Sequence, residues 1–353
     1  MANRPLMFDG GSPSGAPPAP PRGDTDRFHD VPAGALFDRA AFLDRITDVP
    51  SSSPVLCIPV AEAGIGEHSA FFRVKSFVGG SADELTIHGS LTATAALGAS
   101  QRGVHMSRIV ESAQEVSGAV WPDLDTLIRT LVEDVARRQD LNSARVKVDG
   151  VAQVECRAPV SKRGSLDQWG VHAEAAISRG HVTSRLGLTA TIITACPCTR
   201  MYSWYSTVLE LADMVGLELA NQIAPRLPTF THSQRATVTV EVDGGEGGIP
   251  LASCYDAVCA SAHVVHELLK RPDEHFLVRQ AHERPQFTED VVREVAAAVA
   301  AGTDPLTQGG NRVSVESSAL ESIHGHTVRS RVEATVAELA AYLTQAETER
   351  PTR

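Results

Sequence analysis

The stretch that decides the fold is ARVKVDGVAQVEC, residues 144–156, in which small or branched apolar residues alternate with polar ones. Alternation with a period of two is typical of a β-strand with one buried face. Asp149 and Gly150 lie in the middle, and an Asp-Gly pair between two alternating runs is a strong hairpin signal. The pattern therefore predicts two strands, 144–148 and 151–156, joined by a turn at Asp149-Gly150.

More strands and several helices are predicted on both sides of this stretch. The predicted strands cover residues 55–60, 70–74, 84–91, 170–178, 183–191, 236–242 and 312–315. Apolar residues at helical spacing predict helices after Trp121-Pro122 within 109–138, and at 205–224, 253–270 and 288–301. The candidate buried positions of the helix at 205–224 are Leu209, Leu211, Val215, Leu217 and Leu219. This order of strands and helices indicates an α+β protein with two related halves.

The two halves set the predicted domain organisation. Residues 1–30 are rich in proline and glycine and have too few large apolar residues to offset the entropy of ordering, so a disordered tail is predicted there. The first half covers 50–190 and the second covers 191–345. Two units are expected because 353 residues exceed the length at which one core usually keeps growing.

Composition argues against several functional classes. A formal net charge of −11 argues against a general polyanion binder, although a local group of basic residues can still hold a small anionic substrate. Six cysteines in 353 residues, without a secretory signal, are too sparse for a disulfide framework, so reduced thiols are expected. Neither a long apolar run nor a signal peptide is visible, and we expect a cytoplasmic protein.

The strongest candidates for a reactive or metal-binding role are Cys196 and Cys198, which flank Pro197 after a predicted strand. A thiolate at this position is a competent ligand for zinc or ferrous iron. Two small buried residues in a turn explain the tripeptide equally well. A C-x-C pair is also a weaker zinc signal than paired C-x-x-C motifs.

Further ligand types lie at predicted element boundaries: His232 just ahead of a strand, and His324 and His326 near a late strand. A thiolate, one or two imidazoles and a carboxylate together make an open, catalytic type of metal site. Alternating residues of a strand point the same way, so His324 and His326 are expected to face one cleft. An H-x-H pair alone is more often incidental.

Two acidic blocks, 270–274 and 287–290, lie near predicted helix starts. Their ordinary explanation is capping, since acidic residues near a helix N-terminus interact well with its dipole and Thr288 or Asp290 can cap the helix. His263 and His266 have the spacing of a helical metal pair, but a surface or packing role is favoured in an alanine-rich helix.

Residues 101–108 gather two arginines, a histidine and a serine at a strand-to-helix junction. Such a junction suits phosphate because helix N-terminal amides and arginine both favour anions. A basic loop with a buried methionine has the same composition, so both interpretations are open.

Taken together, these segments resemble the prokaryote-specific type IB GTP cyclohydrolases, including the archaeal enzymes that start methanopterin synthesis. The matching blocks are RGVHMSR (102–108), ACPC (195–198), THSQR (231–235), KRPDE (270–274), FTED (287–290) and ESIHGH (321–326). They occur in the family's order and span most of the chain beyond the tail.

The resemblance implies a tunnelling fold, with two tandem modules of antiparallel sheet and paired helices, assembled into a homotetramer with active sites at subunit interfaces. It also implies hydrolytic opening of the guanine imidazole ring of GTP, with release of formate and formation of a 7,8-dihydroneopterin phosphate. The implied cofactor is one divalent metal per active site, Fe²⁺ first, with Mn²⁺ and Zn²⁺ as alternatives.

The resemblance also implies roles for individual residues. The implied metal ligands are Cys196, His232, Glu274 and His324. The residues implied near the reaction centre, as secondary ligands or proton-transfer groups, are Cys198, Glu321 and His326. Glu289 would hold the amidine edge of guanine, because a carboxylate can accept two parallel N–H bonds. The other implied substrate contacts, mostly to the triphosphate, are His105, Arg108, Arg235, Lys270 and Arg271.

The chain departs from the family pattern after the cysteines. Thr199-Arg200-Met201-Tyr202 replaces the usual Ser-Lys-Glu, and the spacing from Cys198 to His232 is closer to the archaeal arrangement. Either the triphosphate or the 2',3'-cyclic phosphate of dihydroneopterin is therefore open as product. Two other hypotheses are a non-catalytic purine- or pterin-binding protein in a specialised pathway, and a structural metal module.

Overall fold

The computed structural model describes residues 48–78 and 84–348, so the predicted disordered tail at 1–30 lies outside it. The chain divides into two compact units. The described part of the first unit is 48–60 and 97–103. It contains a 3₁₀ turn at Val49–Ser51 and a backbone hydrogen bond of 3.1 Å from Gly103 N to Pro50 O.

Within the described residues, the second unit is built on a sheet of nine strands in the order β3-β1-β2-β4-β5-β6-β7-β8-β9. The strands are β1 (Val60–Lys75), β2 (Glu84–Leu97), β3 (Val120–Trp121), β4 (Ser143–Arg157), β5 (Gly164–Ser178), β6 (His181–Ala195), β7 (Ser233–Asp243), β8 (Arg312–Leu320) and β9 (Thr327–Thr335). From β4 to β9, consecutive strands pair antiparallel.

Helices occupy the connections between these strands. They are α1 (Met106–Gly118), α2 (Leu124–Gln139), α3 (Pro197–Val215), α4 (Leu217–Ile223), α5 (Leu251–Ser261), α6 (Arg271–Glu283), α7 (Thr288–Ala301), α8 (Pro305–Gln308) and α9 (Val336–Thr348). Helix α2 begins where Asp123 accepts a 2.7 Å hydrogen bond from Thr126 N, and it ends at Asp140 in the left-handed conformation. None of the described helices is long and apolar enough to cross a membrane.

The core lies between one face of the sheet and helices α2, α5 and α7. Leu127, Leu131 and Val135 of α2 are fully buried, as are Val146 and Val148 of β4. Each such side chain contributes about 1.5–3 kcal/mol through burial. The opposite face of the sheet is polar. A mixed sheet with helices on one face confirms the α+β class.

The hairpin predicted at Asp149-Gly150 is wrong, because β4 runs through both residues without turning. Gly150 is paired with Gly89 on one side and Val171 on the other. A Cβ at Gly150 would lie 2.8 Å from His88 O, so glycine serves close strand approach there instead of a turn. The buried positions remain even-numbered on both sides of Gly150, a phase that already favoured one long strand.

Several element boundaries also need correction. Residues 55–59 are not strand, and β1 starts only at Val60. The stretch 109–138 holds two helices, because Trp121-Pro122 interrupts it, and the helix predicted after Pro122 is confirmed as α2. The helix predicted at 253–270 ends at Ser261. Helix α6, strand β9 and helix α9 were not predicted.

The predicted buried face of residues 205–224 is wrong. Leu209, Val215, Leu217 and Leu219 are all exposed, and Leu211 is only half-buried. The small cluster that these helices bury consists of Val208, Ala220 and Ala224. The helical period was correct, but it predicted the wrong face because α3 and α4 leave apolar side chains uncovered. The predicted module boundary at 190/191 lies inside β6, and the tandem-module organisation stays a prediction.

Candidate active site

The C-terminal end of β6 positions Cys196. This residue is the N-cap of α3: its Sγ accepts a 3.5 Å hydrogen bond from Thr199 N, and Pro197 occupies the first turn, where its fixed φ suits a helix start. Cys196 N donates to His232 O over 3.2 Å, which ties the end of β6 to the start of β7. The strand-to-helix turn therefore places a half-exposed thiol beside a histidine.

A cleft of about 250 Å³ opens at this junction. It is lined by Thr194, Cys196, His232, Gln234, Gln286, Phe287, Thr288, Glu289, Glu321, His324, His326 and Val328. The structure thus brings together six residues that the sequence predicted for the site: Cys196, His232, Glu289, Glu321, His324 and His326. Larger cavities exist, of about 530 and 680 Å³, but no cysteine or histidine lines them.

His232 is oriented by neighbours on the sheet. Its Nδ1 lies 3.2 Å from Gln234 Oε1, and Gln234 Nε2 donates to Thr194 Oγ1 over 3.1 Å. With Gln234 held in this orientation, Nδ1 of His232 donates the hydrogen bond and Nε2 keeps its lone pair. That is the tautomer in which imidazole Nε2 binds a metal or accepts a proton.

The connection between β8 and β9 contributes two more imidazoles. The rings of His324 and His326 stack with centroids 5.3 Å apart, and the ring of His232 meets that of His324 edge-on at 6.3 Å. Both residues face the cleft as predicted, but the predicted reason is wrong. They lie in the turn before β9 and not on a strand.

Glu289 lies in the first turn of α7, at the rim of the cleft. The hydroxyl of Thr288 donates to Glu289 Oε2 over 3.0 Å and lies 2.8 Å from Ser330 Oγ on β9. Asp290 takes the capping role, since its Oδ2 accepts from Phe287 N over 3.0 Å. Asp290 therefore caps the helix, and the exposed carboxylate of Glu289 is available to a ligand in the cleft.

Gln286 is a cleft residue that the sequence did not reveal. Its side chain is buried, and Nε2 donates to Ser261 O over 2.9 Å and to Glu294 Oε2 over 2.7 Å. These two acceptors fix the amide orientation, and Oε1 has no hydrogen-bond partner among the described residues. No sequence pattern marks Gln286, whereas Gln234 lies within the matched block THSQR, two residues after His232.

Three residues predicted for the site occur together elsewhere, at the start of α6. Lys270, Arg271 and Glu274 are all exposed and do not line the cleft. Asp273, between them, is buried. Burial alone would raise the pKa of its carboxyl, but hydrogen bonds from Ser161, Lys270 and Val160 hold that pKa well below its usual range.

The remaining predicted residues also lie off the cleft. Cys198 is exposed in the first turn of α3, and Arg235 is exposed on the strand face opposite to Gln234. Arg108 donates from its guanidinium to Arg138 O over 2.9 Å. The backbone of His105 is held at both N and O by the side chain of Gln139.

The chemical types on the cleft suit a divalent transition metal, because a cysteine sulfur and imidazole nitrogens are borderline-soft donors. Cys196, His232 and His324 supply those donors. Across residues 48–78 and 84–348, however, no three His, Cys, Asp or Glu side chains are close enough together to hold an ion. The donor chemistry therefore fits a metal, and Glu274 is not beside the other predicted ligands.

His263 and His266 have packing roles, as the sequence favoured. Burial lowers the pKa of His263, whose Nε2 lies 3.0 Å from Arg284 O. His266 Nδ1 lies 2.6 Å from Asp167 Oδ2.

The fold and the cleft define an α+β protein with a thiol, imidazoles and carboxylates gathered at one end of an antiparallel sheet. A sequence profile of the family described as "Type I GTP cyclohydrolase folE2" matches residues 46–330. The chain belongs to this family.

Named relatives are found in both archaea and bacteria. A "GTP cyclohydrolase MptA" from Thermoplasma volcanium is 30% identical over 282 residues, covering 79% of this chain and 92% of the relative. A "GTP cyclohydrolase FolE2" from Neisseria meningitidis is 29% identical over 289 residues, covering 81% and 84%. Among solved structures, a uricase from Arthrobacter globiformis aligns with a TM-score of 0.41 at 9% identity, covering 77% of this chain and 93% of that one.

Proposed function

We propose that this chain is a GTP cyclohydrolase, which opens the guanine imidazole ring of GTP by hydrolysis and releases formate. The observation that carries the proposal is the cleft at the end of β6. There, six residues from four separate blocks of the sequence converge on one space of about 250 Å³. Relatives from both named branches, called GTP cyclohydrolases, support the same reaction.

Glu289 is the proposed anchor for guanine. Its carboxylate can accept two parallel N–H bonds from the amidine edge of the base. The hydroxyl of Thr288 restrains one carboxylate oxygen, so less side-chain freedom is lost when the base binds. Its position in the first turn of α7 also places the negative charge where the helix dipole stabilises it.

Cys196, His232 and His324 are the proposed metal-holding residues on the cleft, with Glu274 as the fourth. When bound, a divalent ion would supply Lewis-acid activation of the water that attacks carbon 8 of guanine. Fe²⁺ is the proposed metal, and Mn²⁺ or Zn²⁺ are the alternatives. The Gln234 hydrogen bond keeps His232 in the tautomer with a free Nε2 lone pair, as a metal ligand requires.

Proton transfer is assigned to Glu321 and His326. Ring opening requires a proton on the leaving ring nitrogen and removal of protons from the attacking water and from the carbon 8 adduct. An imidazole suits both directions because it can accept a proton at one ring nitrogen and donate one from the other. The half-buried Glu321 lies on the same cleft wall and is the proposed partner in this transfer.

A direct test is anaerobic incubation of the Fe²⁺-loaded protein with GTP. The expected result is one formate released per pterin, with the pterin detected by fluorescence after oxidation. Mass spectrometry of the product would distinguish the triphosphate from the 2',3'-cyclic phosphate of dihydroneopterin. Absence of formate with Fe²⁺, Mn²⁺ and Zn²⁺ alike would overturn the proposal.

A second candidate function is non-catalytic binding of a purine or pterin. It is favoured by the absence, among residues 48–78 and 84–348, of three metal-ligand side chains close together. This candidate predicts that ligand binding survives Cys196→Ala and that formate is never released at any metal load.

A homotetramer with active sites at subunit interfaces is also proposed, and a cytoplasmic location with it. The support for association is the apolar face of α3 and α4, which exposes Tyr202 by 74% and Met214 by 80%. Its other exposed members are Met201, Tyr205, Leu209, Val215, Leu217 and Leu219. Such side chains remove on the order of 100 Å² each when covered, so this face approaches the ~800 Å² per partner of a stable interface. Sedimentation of the protein would test the assembly.

A further inference from the structure

A buried carboxylate fastens the β4–β5 connection to the start of α6. Oδ1 of Asp273 accepts hydrogen bonds from Val160 N and Ser161 N, both at 2.8 Å, and Oδ2 accepts from Lys270 N at 2.9 Å. Asp273 is fully buried. Because one carboxylate holds three backbone amides from two segments, residues 157–163 and 270–274 form a single unit.

This unit carries a cluster of cations. The "cationic platform" consists of Arg157, Lys162, Arg163, Lys270 and Arg271, all of them exposed. The two segments that supply them meet at Asp273, so the cations come together from positions more than a hundred residues apart in the sequence. The carboxylates on the same unit are Asp273, which its three amides satisfy, and the exposed Glu274.

The cations of the platform form no ion pairs within the described residues. Arg157 and Lys162 donate only to backbone carbonyls, of Lys162 and Pro159 respectively. By contrast, Arg279 and Arg284, later in the same region, each pair with a glutamate. In a chain with a net charge of −11, a cluster of unpaired cations marks a surface that meets a negatively charged group.

We propose that the cationic platform is the polyphosphate-binding surface of the enzyme, with Lys162 and Arg163 as contacts in addition to Lys270 and Arg271. Arginine forks and lysine ammonium groups are the donors that phosphate oxygens prefer. This inference rests on the proposed function, because it takes GTP as the source of the polyphosphate. It assigns the β4–β5 connection, which lies outside the six matched blocks of the sequence, to substrate binding.

Asp273 is a positioning residue in this arrangement. It does not face the ligand, but it sets the distance between Lys162 and Lys270 through the amides it holds. The adjacent Glu274, the proposed fourth metal ligand, is held by the same contact. The platform thus joins the phosphate end of the substrate to one ligand of the reaction centre.

The test compares Lys162→Gln, Arg163→Gln and the double variant with Arg179→Gln. Arg179 is a matched control: like Lys162 it is an exposed cation with positive φ, 51° against 55°, but it lies at the opposite end of β5. Each single platform variant should raise KM for GTP about tenfold and leave kcat within about twofold, because one charge-assisted hydrogen bond is lost, and the double variant should raise KM further. Arg179→Gln should leave both constants unchanged.

Binding of inorganic tripolyphosphate, measured by calorimetry, gives a readout independent of turnover. Wild type and Arg179→Gln should bind it, and the double variant should not. Guanosine, which has no phosphate, should compete with GTP with the same inhibition constant in wild type and in all variants. If wild type binds tripolyphosphate but releases no formate from GTP, the proposed function is contradicted and the phosphate-binding role of the platform is supported. Unchanged KM and unchanged tripolyphosphate binding in the folded double variant would overturn the platform.

Discussion

The cleft at the end of β6 and the cationic platform at the start of α6 differ in how they are held. The cleft is assembled at the junction of β6 and β7, where the half-buried His232 is oriented by the neutral groups of Gln234 and Thr194. The platform consists of exposed side chains on two segments joined by the ionised carboxylate of Asp273. One region therefore depends on strand register, and the other depends on a buried charge.

The two regions also share a feature: neither holds all four proposed metal ligands. Three of the four proposed metal ligands line the cleft, whereas Glu274 is on the platform with the cations. The separation of these ligands is explained if the platform of one subunit meets the cleft of another. One site would then have its chemistry in the cleft and its phosphate contacts on the platform.

The largest effect is expected for Cys196→Ala. Loss of the Cys196 thiol from the cleft wall should lower kcat by more than about 100-fold, because removing a metal ligand costs at least as much as removing a group that orients one. The melting temperature should change little, since Cys196 is only partly buried. Formate release and bound-metal content measure the effect.

Cys198→Ala is the matched control for this prediction. Cys198 lies two residues away in the same turn but is exposed and off the cleft. A loss of metal from Cys198→Ala equal to that from Cys196→Ala would contradict the unequal roles of the two cysteines.

The next effect is recovery of activity in mixed assemblies. Cys196→Ala and Glu274→Ala chains should each be inactive alone. If the cleft and the platform come from different subunits, random co-assembly should restore about a quarter of wild-type activity, because both halves of a shared site are intact in that fraction. Co-expression with two affinity tags isolates the mixed assembly for assay.

Failure to recover activity in a verified mixed assembly would place both regions of one site in the same chain. Mixing Cys196→Ala with His232→Ala provides the negative control. Both residues line the same cleft, so no combination of these chains contains an intact one.

A smaller effect is expected for Gln234→Leu. Removing the acceptor for His232 Nδ1 frees the imidazole to rotate and change tautomer, which should cost about 10–100-fold in metal affinity. Gln234→Glu keeps an acceptor and should retain most of the affinity. Competition with a chromogenic chelator measures it, and equal loss in both variants would show that Gln234 acts by packing alone.

The sequence marked residues of the cleft better than it predicted how they are held. Short blocks such as 195–198 and 321–326 contain Cys196 and His324, and the fold brings both residues to one cleft. The sequence did not predict Gln286, which is positioned on the cleft by the contacts of its amide with Ser261 and Glu294. Contacts between residues distant in the chain have no local signature.

The errors in the fold have a similar cause. Asp149-Gly150 has the local chemistry of a turn, but Gly150 is needed where β2 and β4 approach closely, a requirement that only the tertiary pairing creates. The helical period at 205–224 was visible, yet Leu209, Leu217 and Leu219, which were predicted as buried, lie on a face that residues 48–78 and 84–348 leave exposed. Local patterns identify an apolar face without specifying what covers it.

The smallest effect is a difference in acid sensitivity between the two regions. The segment leading into α6 is held by Asp167, whose carboxylate contacts His266 and accepts from Ser165 Oγ and Glu267 N. Burial alone would raise the pKa of Asp167, but the hydrogen bonds from His266, Ser165 and Glu267 lower it below the usual value. A carboxyl with a lowered folded-state pKa stabilises the fold above its unfolded pKa of about 3.9 and loses that contribution as the pH falls further.

The region around α6 should therefore open before β6 when the pH is lowered below about 4, because Asp167 and Asp273, which hold that region, both have lowered pKa values. The hydrogen bond between Gln234 and Thr194, which joins β7 to β6, contains no ionisable group. Brief pepsin digestion at pH 4 and at pH 2.5, with the fragments identified by mass spectrometry, should show cleavage near Leu268 rising before cleavage in β6. Asp167→Asn keeps the shape of the side chain but cannot ionise, so cleavage near Leu268 should already be high at pH 4 and should change less with pH. Equal pH dependence of cleavage at the two regions would mean that buried carboxylates do not set the stability of the platform.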